Sequence, residues 1–199
     1  LAAGVVACGW ALDDALFRAK QLAIIRNGSV IDTALVDAVV VDGAVVGAKA
    51  LWQTEGLRRA VVTRGEPHNI GIASIVGCLA PVTCREQRGM VVDFSQGEIN
   101  LCAPVAPGLI LGVGVSGTRS LAIGESVPIE ASPCVVALDG EREVEFAAGD
   151  EGFIRLEASG PSVVDVRCTL AGAVRRGFFT DAARLKRIAL PSRHADPLI

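Results

Sequence analysis

Apolar positions recur at three- and four-residue intervals from Ala11 to Arg26, through Leu12, Ala15, Leu16, Ala19, Leu22 and Ala23, with Asp13 and Asp14 at the front. That spacing predicts an amphipathic helix stopped by Asn27-Gly28. After the stop the pattern turns to β, over Ala34–Val41 and again over Ala44–Val46, with Asp42-Gly43 as the tight turn of a hairpin. Lys49 to Leu57 reads as a connection with a helical turn. Arg59–Thr63 reads as a short buried strand that runs into the polar stretch Arg-Gly-Glu-Pro-His-Asn. Asn69 is placed to cap a second, short helix, because Ile70, Ala73, Ser74 and Gly77 fall on helical spacing before Pro81.

Beyond Pro81 the pattern predicts strands over Met90–Phe94, Ile99–Leu101, Leu109–Val115, Ser126–Glu130, Cys134–Leu138, Glu143–Phe146, Gly152–Leu156 and Ser162–Val166. Gly, Pro, Ser and Asp turns separate them. Short strands at about 8–12-residue spacing indicate two packed antiparallel sheets. Thr169–Phe178 reads as a closing helix ended near Gly177, and Asp181–Ile199 as a tail. The expected class is α+β, mainly β: an antiparallel sandwich with an N-terminal helix, one short helix after residue 69 and a closing helix. The expected organisation is a helical segment over 1–28, the β-rich domain over 29–179 and a tail over 180–199.

Composition narrows the function classes. Hydrophobic residues are 51% of the 199, which fits an ordered chain with a substantial core. The net charge is −3 with both signs interspersed, so no nucleic-acid footprint is expected. Charged or amide residues interrupt every apolar segment well short of the roughly 18 residues a membrane helix needs. The start at Leu1 has neither Met nor a basic leader, and a cytoplasmic location is the expectation. Six scattered cysteines without a C-x-x-C pair, and only His68 and His194, give no metal-site spacing. The even number of cysteines allows disulfides, but most of them sit in apolar stretches and read as small buried hydrophobes, so free thiols are the expectation.

The richest chemistry is in Thr63, Arg64, Gly65, Glu66, His68 and Asn69. A hydroxyl, a guanidinium, a carboxylate, an imidazole and an amide precede a helix whose free N–H groups and dipole favour an anion. A nucleotide phosphate or ribose fits that set; the alternative is that Glu66 and Asn69 cap the helix and Arg64 makes a surface ion pair. His68 has no Ser or Cys partner in the sequence and reads as a ligand-contacting or exposed imidazole rather than a general base. Asp139, in Leu-Asp-Gly-Glu, is either turn chemistry with Gly140 left-handed or a ligand contact. Asp37 either faces solvent or points into a cleft. Gly112 and Gly114 have no following helix and are not a dinucleotide fingerprint.

Four stretches together resemble the carboxy-terminal domain of the NAD kinase superfamily, in the branch typified by acetoin-catabolism protein X (AcoX). They are Val36-Asp37-Ala38-Val39-Val40-Val41; Ala60 to Ser74 around Thr63-Arg64-Gly65-Glu66-Pro67-His68-Asn69; Ala103-Pro104-Val105-Ala106-Pro107; and Val136-Ala137-Leu138-Asp139-Gly140-Glu141-Arg142-Glu143. The resemblance runs from about residue 33 to residue 179. The first stretch keeps only the acidic member, Asp37, of the Asn-Glu pair of NAD kinases. The resemblance implies an NAD or NADP site drawn from Asp37, Thr63, Arg64, Gly65, Glu66, His68, Asn69 and Asp139. It also implies a preceding Rossmann-like domain with Gly-Gly-Asp-Gly for ATP. No Gly-Gly-Asp-Gly occurs here. Phosphoryl transfer is positioning and charge stabilisation, so no catalytic residue is assigned, and ATP is expected only if a partner chain or another domain supplies its site. A homo-oligomer is also expected. The alternatives are an ATP-dependent kinase completed by such a partner, and an oligomeric scaffold without a ligand.

Overall fold

The structure is a computed structural model that describes residues 15–42, 56–130 and 133–181. It divides into two units, residues 18–161 and a smaller one of residues 1–17 with 162–199.

In the larger unit a six-stranded antiparallel sheet carries the architecture. Its central strands are β4 (Asp37–Asp42), β5 (Leu57–Val62) and β6 (Arg88–Phe94), flanked by β11 (Cys134–Leu138) with β12 (Arg142–Phe146) on one side and β9 (Val115–Ala122) on the other. The Ala-Val-Val-Val run of β4 is apolar throughout because both faces of the sheet are covered. Ala38 and Val40 join Val61, Val91, Val136 and Leu138 in one core, and Val39 and Val41 join Ala60, Val62, Met90 and Val92 in another. The first core is closed by a four-stranded sheet of β10 (Ser126–Pro128), β13 (Gly152–Glu157), β2 (Gln21–Arg26) and β3 (Ser29–Ala34), through Leu22, Ile24, Val127, Ile154 and Leu156. The second is closed by α1 (Ile72–Leu79), through Ile72, Ile75 and Val76, and by the ribbon of β7 (Leu101–Ala106) and β8 (Leu109–Val113). The expected mainly β sandwich is the observed class, with a helix and a ribbon covering its outer face.

β1 (Leu16–Arg18), whose first two residues belong to the smaller unit, pairs with β14 (Ser162–Val164). The helix α2 (Val166–Arg175) follows, capped by the Asp165 carboxylate accepting from the Cys168 N–H at 2.8 Å and ending before Gly177 at φ 71°. This is the closing helix, begun three residues earlier than Thr169.

The N-terminal helix expected over Ala11–Arg26 is corrected: Leu16–Arg18 and Gln21–Arg26 are strands. Leu22, Ala23, Ile24 and Ile25 are all buried between β13 and β3, where β-branched side chains pack better than on a helix. Asn27-Gly28 is not a helix stop. Both residues have positive φ, 51° and 80°, and turn β2 directly into β3. The start of that expected helix, the hairpin strand at Ala44–Val46 and the connection from Lys49 lie outside the described residues, except that its end, Leu57, opens β5.

Candidate functional site

The site is built where β4 and β5 meet the loop that enters α1. Thr63 closes β5 and is itself used up by the fold: its N–H donates to Val36 O at 2.9 Å and its hydroxyl to Leu35 O at 2.7 Å. Asp139 is also internal. Its carboxylate sits in a nest of three successive N–H groups, accepting from Leu35 at 2.9 Å, Val36 at 2.7 Å and Asp37 at 3.2 Å. The Asp139 N–H returns to Asp37 O at 3.0 Å. Its φ of 51° and that of Gly140, 71°, form the turn from β11 to β12. Asp139 is therefore turn and clasp together. Asp37 is half-buried, and its carboxyl is pushed up to about 7, first by burial and then by the negative charge of Asp139.

The loop after Thr63 is pressed onto α1. Gly65 pairs with Val82 through two backbone bonds of 2.8 and 2.9 Å. Gly77 of α1 lies against the Glu66-Pro67 peptide so closely that a Cβ there would stand 2.3 Å from the Glu66 carbonyl carbon. Asn69 does not cap α1, as the sequence suggests. Its Oδ1 accepts from the Glu66 N–H at 2.9 Å and tightens the loop, while Gly71 is the N-cap and no side chain caps the helix. The amide is spent on the loop because Gly71, at φ 73°, turns the chain between Asn69 and the first helical turn.

Arg64, Glu66, His68 and Asn69 line one open cleft of about 580 Å³ with Val36, Ile70, Ala73 and Cys84. Asp37, Thr63, Gly65 and Asp139 do not line it. Among the described residues no hydrogen bond or ion pair engages the side chains of Arg64, Glu66 or His68. In the larger unit that sets Arg64 apart: Arg18 and Arg26 donate to carbonyls, Arg58, Arg59, Arg88, Arg119, Arg142 and Arg155 hold carboxylates, and Arg85 is engaged as well. A cation, an anion and an imidazole thus face one space beside an uncapped helix N-terminus, where an anion is favoured. No group of three or more His, Cys, Asp or Glu among the described residues is arranged to hold a metal ion.

Sequence reasoning missed Lys20. It is 4% exposed, donates from Nζ to Thr83 O at 3.0 Å and to Arg88 O at 2.5 Å, and is lowered by burial from 10.5 to about 8. Lying inside a stretch that reads as helix, it looks like a solvated face residue, and no local signal marks it.

A family model for the acetoin catabolism protein X C-terminal domain matches residues 20–159. The chain belongs to this family. The match opens at Lys20 and spans the larger unit almost to its end, cleft included. Acetoin catabolism protein X of Cupriavidus necator is 40% identical over 147 residues, covering 72% of this chain and 41% of its own length. The chain therefore spans well under half the length of that relative.

Proposed function

We propose that the cleft lined by Arg64, Glu66, His68 and Asn69 binds a nucleotide, with NAD or NADP as the ligand class, and that the chain is an accessory or regulatory domain rather than a phosphotransferase by itself. The observation that carries this reading is the set of unengaged side chains of opposite charge on one cleft wall, in a unit whose other arginines are all tied. A guanidinium takes a phosphate through paired charge-assisted bonds. The Glu66 carboxylate in the same cleft accepts hydrogen bonds from ribose hydroxyls. The four stretches that resemble NAD kinases support a dinucleotide over a simple anion. The name of the Cupriavidus relative suggests acetoin catabolism as the setting.

The test is a titration of the chain with NAD, NADP and ATP separately, following thermal stability, repeated with Arg64→Ala and Glu66→Ala. A ligand at 100-fold its dissociation constant adds about 2.7 kcal/mol if it binds only the folded state. A shift with a dinucleotide that both substitutions abolish is the expected result; no shift with any of the three sinks the reading and leaves a scaffold.

One observation favours a second reading. Because the chain covers 41% of its relative, a further domain or chain can complete an ATP-dependent kinase on this cleft. ATP turnover that arises only on mixing with a Gly-Gly-Asp-Gly protein is the result that reading requires.

A further inference from the structure

Behind the cleft, the one described lysine is tied into the wall. Thr83 and Arg88, whose carbonyls receive the Lys20 ammonium, are the two ends of a turn. Glu86 closes the same turn, accepting from Thr83 N–H at 2.8 Å and from Arg88 Nε at 2.8 Å, and Arg88 also donates to Pro81 O at 3.1 Å. The neighbours of Thr83 in the chain are the two links to the cleft. Cys84 lines it, and Val82 is bonded on both sides to Gly65, which stands between Arg64 and Glu66.

We propose that Lys20 is a positioning residue for the cleft: its ammonium holds the Thr83–Arg88 turn, and through Val82 and Cys84 the Arg64–Asn69 loop, so that protonation of Lys20 regulates ligand binding. The proposal rests on the reading of the cleft as a nucleotide site. Burial is the largest influence and brings the pKa to about 8; among the groups facing the ammonium, Glu86 and Cys84 favour its charge and are outweighed, while Arg88 and Arg64 act with burial against it. Below that value the charged form makes charge-assisted bonds to both carbonyls and adds positive potential beside Arg64. Above it both effects weaken, and an anionic nucleotide is held less well. The fold responds in the opposite sense. An unfolded lysine keeps its proton to about 10.5, so between about 8 and 10.5 the unfolded state binds more protons and stability rises with pH. Falling affinity together with rising stability is a signature that a lysine with a merely structural role does not give.

The experiment measures NAD affinity by calorimetry, and stability in urea, from about pH 6.5 to about pH 9.5. The proteins are the wild type, Lys20→Arg, Lys20→Met and Cys84→Ser, the last removing the thiol in the cleft. The wild type is expected to lose about fivefold or more in affinity across the range, and Cys84→Ser to keep that loss. Lys20→Arg restores the low-pH affinity without the alkaline fall, and Lys20→Met binds weakly throughout. A flat wild-type profile, or the same alkaline fall in Lys20→Met, overturns the proposal. If the wild type binds no NAD at any pH, the nucleotide reading fails by itself. The clamp is then judged by amide exchange: faster exchange over residues 83–88 in Lys20→Met supports it, and unchanged exchange overturns it.

Discussion

Asp139 and Asp37 are neighbours with opposite environments. Asp139 is held by three backbone N–H groups, whereas no hydrogen bond or ion pair engages the Asp37 carboxylate among the described residues. Removing the Asp139 carboxylate leaves those N–H groups without an acceptor, so Asp139→Ala is expected to cost about 2–3 kcal/mol in urea unfolding; a loss below about 0.5 kcal/mol contradicts the clasp. For Asp37 the folded pKa, about 7, lies above the unfolded value of 3.8. Between those values the folded state binds the extra proton, so stability falls as pH rises through this window and the deficit is complete above about 7. Asp37→Asn should therefore stabilise the protein at pH 8 by on the order of 2 kcal/mol and give little at about pH 4. A difference that does not change with pH contradicts the assignment. The polar loop was legible as a site candidate because its residue types are unusual together. Thr63, Gly65 and Asp139 were legible only as chemistry. Whether a hydroxyl or a carboxylate is free or spent on a distant carbonyl or N–H depends on pairings more than 25 residues apart, such as Thr63 with Leu35 at 28 and Asp139 with Val36 at 103.

Among the elements, the Val-rich strands β4, β5, β6 and β11 can be read because burial on both faces leaves three or more apolar residues in a row, as in Ala60-Val61-Val62 and Met90-Val91-Val92. The strands that were missed are those whose pattern is diluted. β3 and β9 lie at sheet edges with mostly exposed, partly polar residues, and Pro104 in β7 argues against a strand until β7 is seen in a two-stranded ribbon, where each strand is an edge. β2 reads as helix in the sequence because apolar residues at three- and four-residue spacing extend the helical period into it, although its own Leu-Ala-Ile-Ile fits either state. The contact of α1 with the loop makes a sharp prediction. Any side chain at Gly77 meets the Glu66-Pro67 backbone rather than a flexible neighbour. Gly77→Ala is thus expected to lose about 1–3 kcal/mol, the cost of overpacking, and to displace Arg64 and Glu66 from the cleft. Unchanged stability together with unchanged nucleotide affinity would show that the loop does not depend on this contact.

At the scale of the molecule, the sequence gives away the sandwich and the mixed charge, but not the burial of Lys20, because the turn that covers it is 63 residues further along the chain. The larger unit holds the loop, the uncapped helix N-terminus and the Thr83–Arg88 turn, and the family relationship covers all of them. The proposed occupant of this cleft is a nucleotide. Amide hydrogen exchange with and without saturating NAD tests it most directly, since it reports both whether the ligand binds and where. Slower exchange over residues 64–73 and 82–86, abolished by Arg64→Ala, is the predicted result. Unchanged exchange, or protection confined to strands away from the loop, would contradict it.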